Sequence, residues 1–118
     1  MLKDKTELTD LFKLTHELVC IPSESFQEKE IVDFVAQKLS EAPWLDVTRI
    51  GDNIVAKTGD TKGMRLLLGG HTDTVPAQGN DQIRLSEDSI WGIGSADMKG
   101  GIAIMLSLAL NVPDSAVD

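Results

Sequence analysis

Residues 66–76 read LLLGGHTDTVP, an apolar run that stops on a histidine and an aspartate two positions apart. Taken with its start, GMRLLLGGH over 63–71, this short and nearly continuous apolar run bounded by glycines has the pattern of a strand covered on both faces in a mainly parallel sheet. It is read as the central strand. An isolated His-x-Asp at a strand end is also what an ordinary polar turn looks like, so His71 and Asp73 gain chemical meaning only from their surroundings.

On the N-terminal side, Leu8, Leu11, Phe12, Leu18 and Val19 recur at helical spacing between Thr6 and Cys20. Thr6 or Thr9 is available as the N-cap and Pro22 closes the segment. His16 lies on the flank of this stripe and is assigned no chemistry, and Cys20 is expected to be a buried small hydrophobe. Ser23 and Ser25 offer caps for a second helix; Glu28, three residues after Ser25, has capping-box spacing ahead of Ile31, Val32, Phe34, Val35 and Leu39. That helix should end near Ala42-Pro43. Strands are expected at Val47–Ile50 and Ile54–Lys57, turning through Gly51-Asp52-Asn53.

On the C-terminal side, QIRLSEDSIWG (82–92) reads as a hairpin around Glu87-Asp88-Ser89, and MKGGIAIMLSLAL (98–110) as a helix buried against the sheet, with NVPDSAVD and its Pro113 as the helix exit. No repeat, low-complexity tract or linker interrupts this order. The fold class that follows is α/β, a partial mixed sheet flanked by helices within a single unit spanning 1–118.

The 118 residues are 42% hydrophobic and 25% charged, values ordinary for a globular domain. Eleven Lys and Arg against nineteen Asp and Glu leave a net charge of -8, which repels nucleic-acid phosphates and anionic lipid, so neither is an expected partner. The single cysteine allows no internal disulfide. With neither a signal-peptide pattern nor an apolar run approaching a membrane span, the expected location is the cytoplasm.

A second polar signal, WGIGSADMKGG over 91–101, places Asp97 just before the buried helix. In open α/β sheets, sites form in the crevice beyond the carboxyl ends of the strands, where His71, Asp73 and Asp97 are expected to converge. An imidazole and carboxylates suit Zn²⁺, and a carboxylate's two oxygens can bridge two ions, which makes Asp97 the natural bridge. Asp73 is placed to accept the other ring N–H of His71, fixing its tautomer. Gly100 and Gly101 would let backbone and substrate come close to the metal edge. The chemistry these residue types suit is metal-assisted hydrolysis.

Together, GGHTDTVP (69–76) and GIGSADMKGG (92–101) resemble the signature of the M20 family of co-catalytic zinc peptidases and amidohydrolases. The flanking LVCIPSESFQEKEI (18–31) and VTRIGDNIVAKTG (47–59) are similar to the family's helix–turn–helix and strands. Within the family, the chain resembles the actinobacterial branch whose members remove succinate from N-succinyl-LL-2,6-diaminopimelate, in the lysine and cell-wall precursor pathway. The resemblance implies two Zn²⁺ ions, with Co²⁺ as a substitute, and a small-molecule N-acyl amino acid substrate. It makes His71 a ligand of one zinc and Asp97 the bridge, assigns Asp73 to catalysis as the acid that orients His71, and places a cis peptide at Asp97-Met98.

The family's general base, one of two adjacent glutamates, and its last histidine ligand lie beyond this stretch. The chain is therefore expected to be the N-terminal part of a catalytic domain, without the dimerisation domain, inactive alone and a homodimer only when complete. Ile93 stands where the family often has arginine, and Lys99 is expected to be exposed at a helix start and is not assigned to catalysis. Two other readings stay open: a different deacylase or dipeptidase of the family, such as an acetylornithine deacetylase, or a non-catalytic module that binds a partner through its sheet edge.

Overall fold

The computed structural model of the chain describes residues 5–59 and 63–111, with side chains described from residue 9 onward. Helix α1 spans Lys5–Val19 and α2 Lys29–Ser40; strands β1 (Asp46–Ile50) and β2 (Asn53–Lys57) form one hairpin, and β3 (Arg84–Leu85) and β4 (Ile90–Trp91) another. An irregular turn, Ser95–Lys99, then leads into α3, Gly100–Asn111. The expected helix exit at 112–118 and the side chain of Leu8 lie outside the described residues.

The core belongs to the helices. Helix α2 buries Ile31, Val32, Val35 and Leu39, which lie along one face at 3.6-residue periodicity. They meet Leu18 of α1 and Ile102, Ala103 and Leu106 of α3 in one cluster, with Val47, Ile54 and Ala56 of the first hairpin packed against it. The α3 helix thus packs on α1 and α2 rather than on a sheet as expected, and its far side, Ile104 and Leu108, is exposed. Both hairpins match the sequence reading, with Ile50 opposite Asn53 and Leu85 opposite Ile90 at their turns. Gly51 takes φ 60, where a side chain would be strained.

The α/β class holds, but the central strand does not form. Among the described residues the strands pair antiparallel, in two separate ribbons, and residues 66–70 belong to neither. Leu66 and Leu67 are 80% and 88% exposed. A strand exists through its ladder: among the described residues β1 and β2 spend their pairing on each other, and the run's N–H and C=O groups meet no partner strand. The single parallel contact nearby is the isolated bridge between Glu24 and Thr74.

Three local expectations are corrected. Thr6 and Thr9 lie inside α1, which is helical from Lys5, so neither has the non-helical backbone of a cap. The capping box does not form either: α2 begins at Lys29, Glu28 accepts the N–H of Phe26 at 2.9 Å, and the Ser25 hydroxyl is committed elsewhere. Cys20 is exposed, not buried, because the turn that points Leu18 and Val19 inward carries the next residue outward; its Sγ lies 3.5 Å from Nε2 of His16. Among the described residues no helix is long and apolar enough to cross a membrane.

Because Leu18 is fully buried and Leu67 is not, Leu18→Ala should cost about 2–5 kcal/mol of stability, and Leu67→Ala no more than about 0.5 kcal/mol. Urea unfolding of both variants checks this; equal losses would mean that the 66–70 run is packed.

Candidate functional site

The segment that follows the apolar run is pinned by the loop between α1 and α2. The Thr74 N–H donates to Ser23 O at 2.8 Å and the Ser25 N–H to Thr74 O at 3.1 Å, while the Ser23 hydroxyl, itself buried, donates to Thr72 O at 2.7 Å. Thr74 is thereby buried, and its neighbours His71 and Asp73 face an open cavity.

The other wall is the turn ahead of α3. Gly94 has φ 82, and a Cβ there would come within 2.6 Å of the Thr74 methyl, so this position requires glycine both for its backbone and for its closeness to the 72–74 segment. The Asp97-Met98 peptide is cis, as the family resemblance implied. The Met98 sulfur accepts the His71 backbone N–H at 3.5 Å. Gly100 and Gly101 face the Ser95 carbonyl and Met98 rather than the cavity, so their smallness serves the packing of this turn instead of substrate approach.

Lys99 corrects the expectation of an exposed side chain. It is 2% exposed, and its Nζ donates to Ile21 O at 2.7 Å. Burial pushes its pKa down, with nearby Cys20 acting in the opposite sense. A signal for this was present in the sequence: 99, 102, 103 and 106 fall on one helical stripe, the one that α3 buries. Ser25 was also missed as a site residue, since S-x-S before a helix reads as a cap.

His71, Asp73 and Asp97 do converge, lining a cavity of about 360 Å³ together with Ser25, Val75 and Ile93. Nε2 of His71 is 3.0 Å from Oδ1 of Asp97. On the opposite side of the ring, Nδ1 is 3.1 Å from the Asp73 carbonyl and 3.2 Å from Oδ1 of Asp73. Both ring nitrogens therefore face acceptors. A neutral imidazole has one N–H and satisfies one side only. Two species satisfy both: a protonated ring, or a neutral ring donating from Nδ1 while Nε2 and Asp97 share a cation.

The electrostatics follow the same geometry. The His71 pKa is raised, first by the Asp73 carbonyl and then, against some desolvation, by the Asp97 carboxylate. The Asp73 carboxyl is held below its ordinary value, chiefly by the Ser25 hydroxyl and further by His71, with partial burial opposing.

The donor set fits a metal ion. Two ligands bound at about 2.0–2.2 Å to one tetrahedral Zn²⁺ stand about 3.3–3.6 Å apart, a few tenths of an ångström more than the 3.0 Å at which Nε2 and Oδ1 now meet directly. Asp97 is 85% exposed, which leaves its second oxygen open to the cavity. Asp73 sits on the far ring nitrogen, across the imidazole from Asp97. Among the described residues, no group of three or more His, Cys, Asp and Glu gathers around one point.

Several known proteins are similar to this chain. Residues 67–117 match the profile of peptidase family M20/M25/M40. A Mycobacterium tuberculosis protein named provisionally as a succinyl-diaminopimelate desuccinylase is 40% identical over 110 residues, 92% of this chain and 31% of its own length. The succinyl-diaminopimelate desuccinylase of Corynebacterium glutamicum is 40% identical over 101 residues, 84% of this chain and 27% of its own. An acetylornithine deacetylase from Aliivibrio salmonicida is 47% identical over 66 residues, 51% of this chain and 17% of its own. The chain thus spans about a third or less of the length of the curated relatives it matches.

The raised His71 pKa has a definite sign. Its proton stabilises the fold below the ordinary imidazole value of about 6.5, and that contribution is lost as pH rises through the raised value. A metal needs the unprotonated ring, so Zn²⁺ affinity should climb about tenfold per pH unit below the His71 midpoint and level off above it. NMR titration of the ring checks both halves; a midpoint at or below 6.5 would contradict the geometry.

Proposed function

Because the chain belongs to the M20/M25/M40 peptidase family, we propose that it forms part of the catalytic domain of a zinc-dependent amide hydrolase, one that releases succinate from N-succinyl-LL-2,6-diaminopimelate. The observation that carries this reading is the 3.0 Å approach of His71 Nε2 to Asp97 Oδ1 across a single cavity.

His71 would hold one ion through Nε2. Asp97 would share in holding it through its carboxylate and could contribute to a second. Asp73 holds the ring from behind, through its carbonyl and its carboxylate, so that Nδ1 keeps its proton and Nε2 presents its lone pair. Bound Zn²⁺, or Co²⁺ in its place, supplies an acidified water and a polarised amide carbonyl. A catalytic zinc has three protein ligands, and two donors meet here, so further ligands and the general base come from outside the described residues. The greater length of the relatives supports this division. The -8 charge of these 118 residues disfavours nucleic acid as a partner.

The substrate assignment is supported by the two 40% identical relatives that carry the desuccinylase name over most of the chain. Deacetylation of N-acetylornithine is the second reading, favoured by the 47% match to the acetylornithine deacetylase, which covers only 51% of the chain.

The test is an assay of the protein expressed from its complete reading frame, supplied with Zn²⁺ or Co²⁺. Succinate should be released from N-succinyl-LL-2,6-diaminopimelate, and His71→Ala and Asp97→Ala should each lower the rate by at least about 100-fold, a ligand costing more than its supporting partner. Faster release of acetate from N-acetylornithine would overturn the substrate. Metal-independent hydrolysis, or hydrolysis of no N-acyl amino acid, would overturn the function.

A further inference from the structure

We infer that Ser25 is a positioning residue of this site, its hydroxyl locking the Asp73 carboxylate so that His71 is set to receive a metal ion. The inference rests on the metal-binding reading of His71 and Asp97 proposed above.

Asp73 has two carboxylate oxygens, and they do different things. Oδ1 lies 3.2 Å from Nδ1 of His71, while Oδ2 accepts the Ser25 hydroxyl at 2.5 Å. A half-exposed carboxylate held at one oxygen is free to swing toward water; held at both, it presents Oδ1 to the ring in one orientation. The hydroxyl comes from a residue 48 positions earlier in the chain, so this contact is tertiary, and no helix end explains it. Glu28, which stands at the start of α2, receives nothing from Ser25.

The loop that carries Ser25 is itself fixed in place. Backbone bonds at Ser23 and Ser25 tie it to Thr74, the Ser23 hydroxyl ties it to Thr72, and the buried Lys99 ammonium holds its beginning through Ile21 O. Lys99 lies two residues after Asp97. One loop therefore references both walls of the cavity: it orients Asp73 through Ser25, and it is anchored by the turn that presents Asp97. The Ser25 side chain is on the surface and outside the core cluster, so removing its oxygen leaves the apolar packing intact.

The experiment is a ZnCl₂ titration of the protein expressed from its complete reading frame, followed by competition with a fluorescent zinc chelator and, in every form that keeps His71, through its ring nitrogens by NMR. Ser25→Ala should weaken zinc binding about 10-fold, within the range typical of partners that orient a ligand, and Ser25→Thr, which keeps the hydroxyl, should restore it. His71→Ala serves as the reference. If His71→Ala weakens zinc binding and Ser25→Ala does not, the role of Ser25 is overturned while the metal reading stands. If His71→Ala binds zinc like the unmodified chain, the metal reading itself fails. Failure of Ser25→Thr to recover, or a backbone spectrum of Ser25→Ala changed throughout the molecule, would also overturn the inference, because either makes the role one of folding rather than of aiming Asp73.

Discussion

An imidazole flanked by acceptors on both nitrogens is the constraint around which this molecule is arranged. The Asp73 carbonyl and carboxylate claim one nitrogen of His71, and Asp97 claims the other. One proton cannot serve both sides. The ring either takes a second proton, which is why its pKa is raised, or takes a cation in the second proton's place. A metal ion at Nε2 would have to displace that proton.

Everything that positions those three residues comes from outside their own segments. The three-helix core fixes α1, α2 and α3, and with them the two ends of the loop at 20–28 and the root of the turn at 95–99. From that base the loop grips residues 72–74 by hydrogen bonds and is gripped in turn by Lys99. Glycine at 94 lets the two walls approach to a distance at which a side chain would collide. The hydrophobic part of the fold thus sets the frame, and a short polar network spanning some 50 to 80 positions of sequence sets the site.

The parts of this that could be read from sequence were those with local physics. Helical periodicity located α1 and α2 to within a few residues, and turn chemistry located both hairpins. His71, Asp73 and Asp97 were legible because each stands where an apolar segment meets a turn and each has a side chain suited to holding a cation. What escaped was decided by distant partners. The 66–70 run has a strand's composition without a strand's neighbours, and composition cannot report which edges are available to pair. Ser25 satisfies the local pattern of a cap, yet the Asp73 carboxylate competes for its hydroxyl and wins. Lys99 looks like a solvated charge until its place just before α3, in line with that helix's buried stripe, is counted, and the carbonyl of Ile21, just past α1, satisfies it. Cys20 differs by a single step around the helix, where periodicity is least decisive at a terminus.

Whether His71 and Asp97 share one cation can be read from anomalous diffraction at the zinc edge, on crystals of the chain grown with Zn²⁺. Sharing puts the strongest anomalous peak between Nε2 of His71 and the Asp97 carboxylate, with Asp73 still on Nδ1. Zinc found instead at the exposed His16–Cys20 pair, with His71 and Asp97 in direct contact and no peak between them, would contradict it.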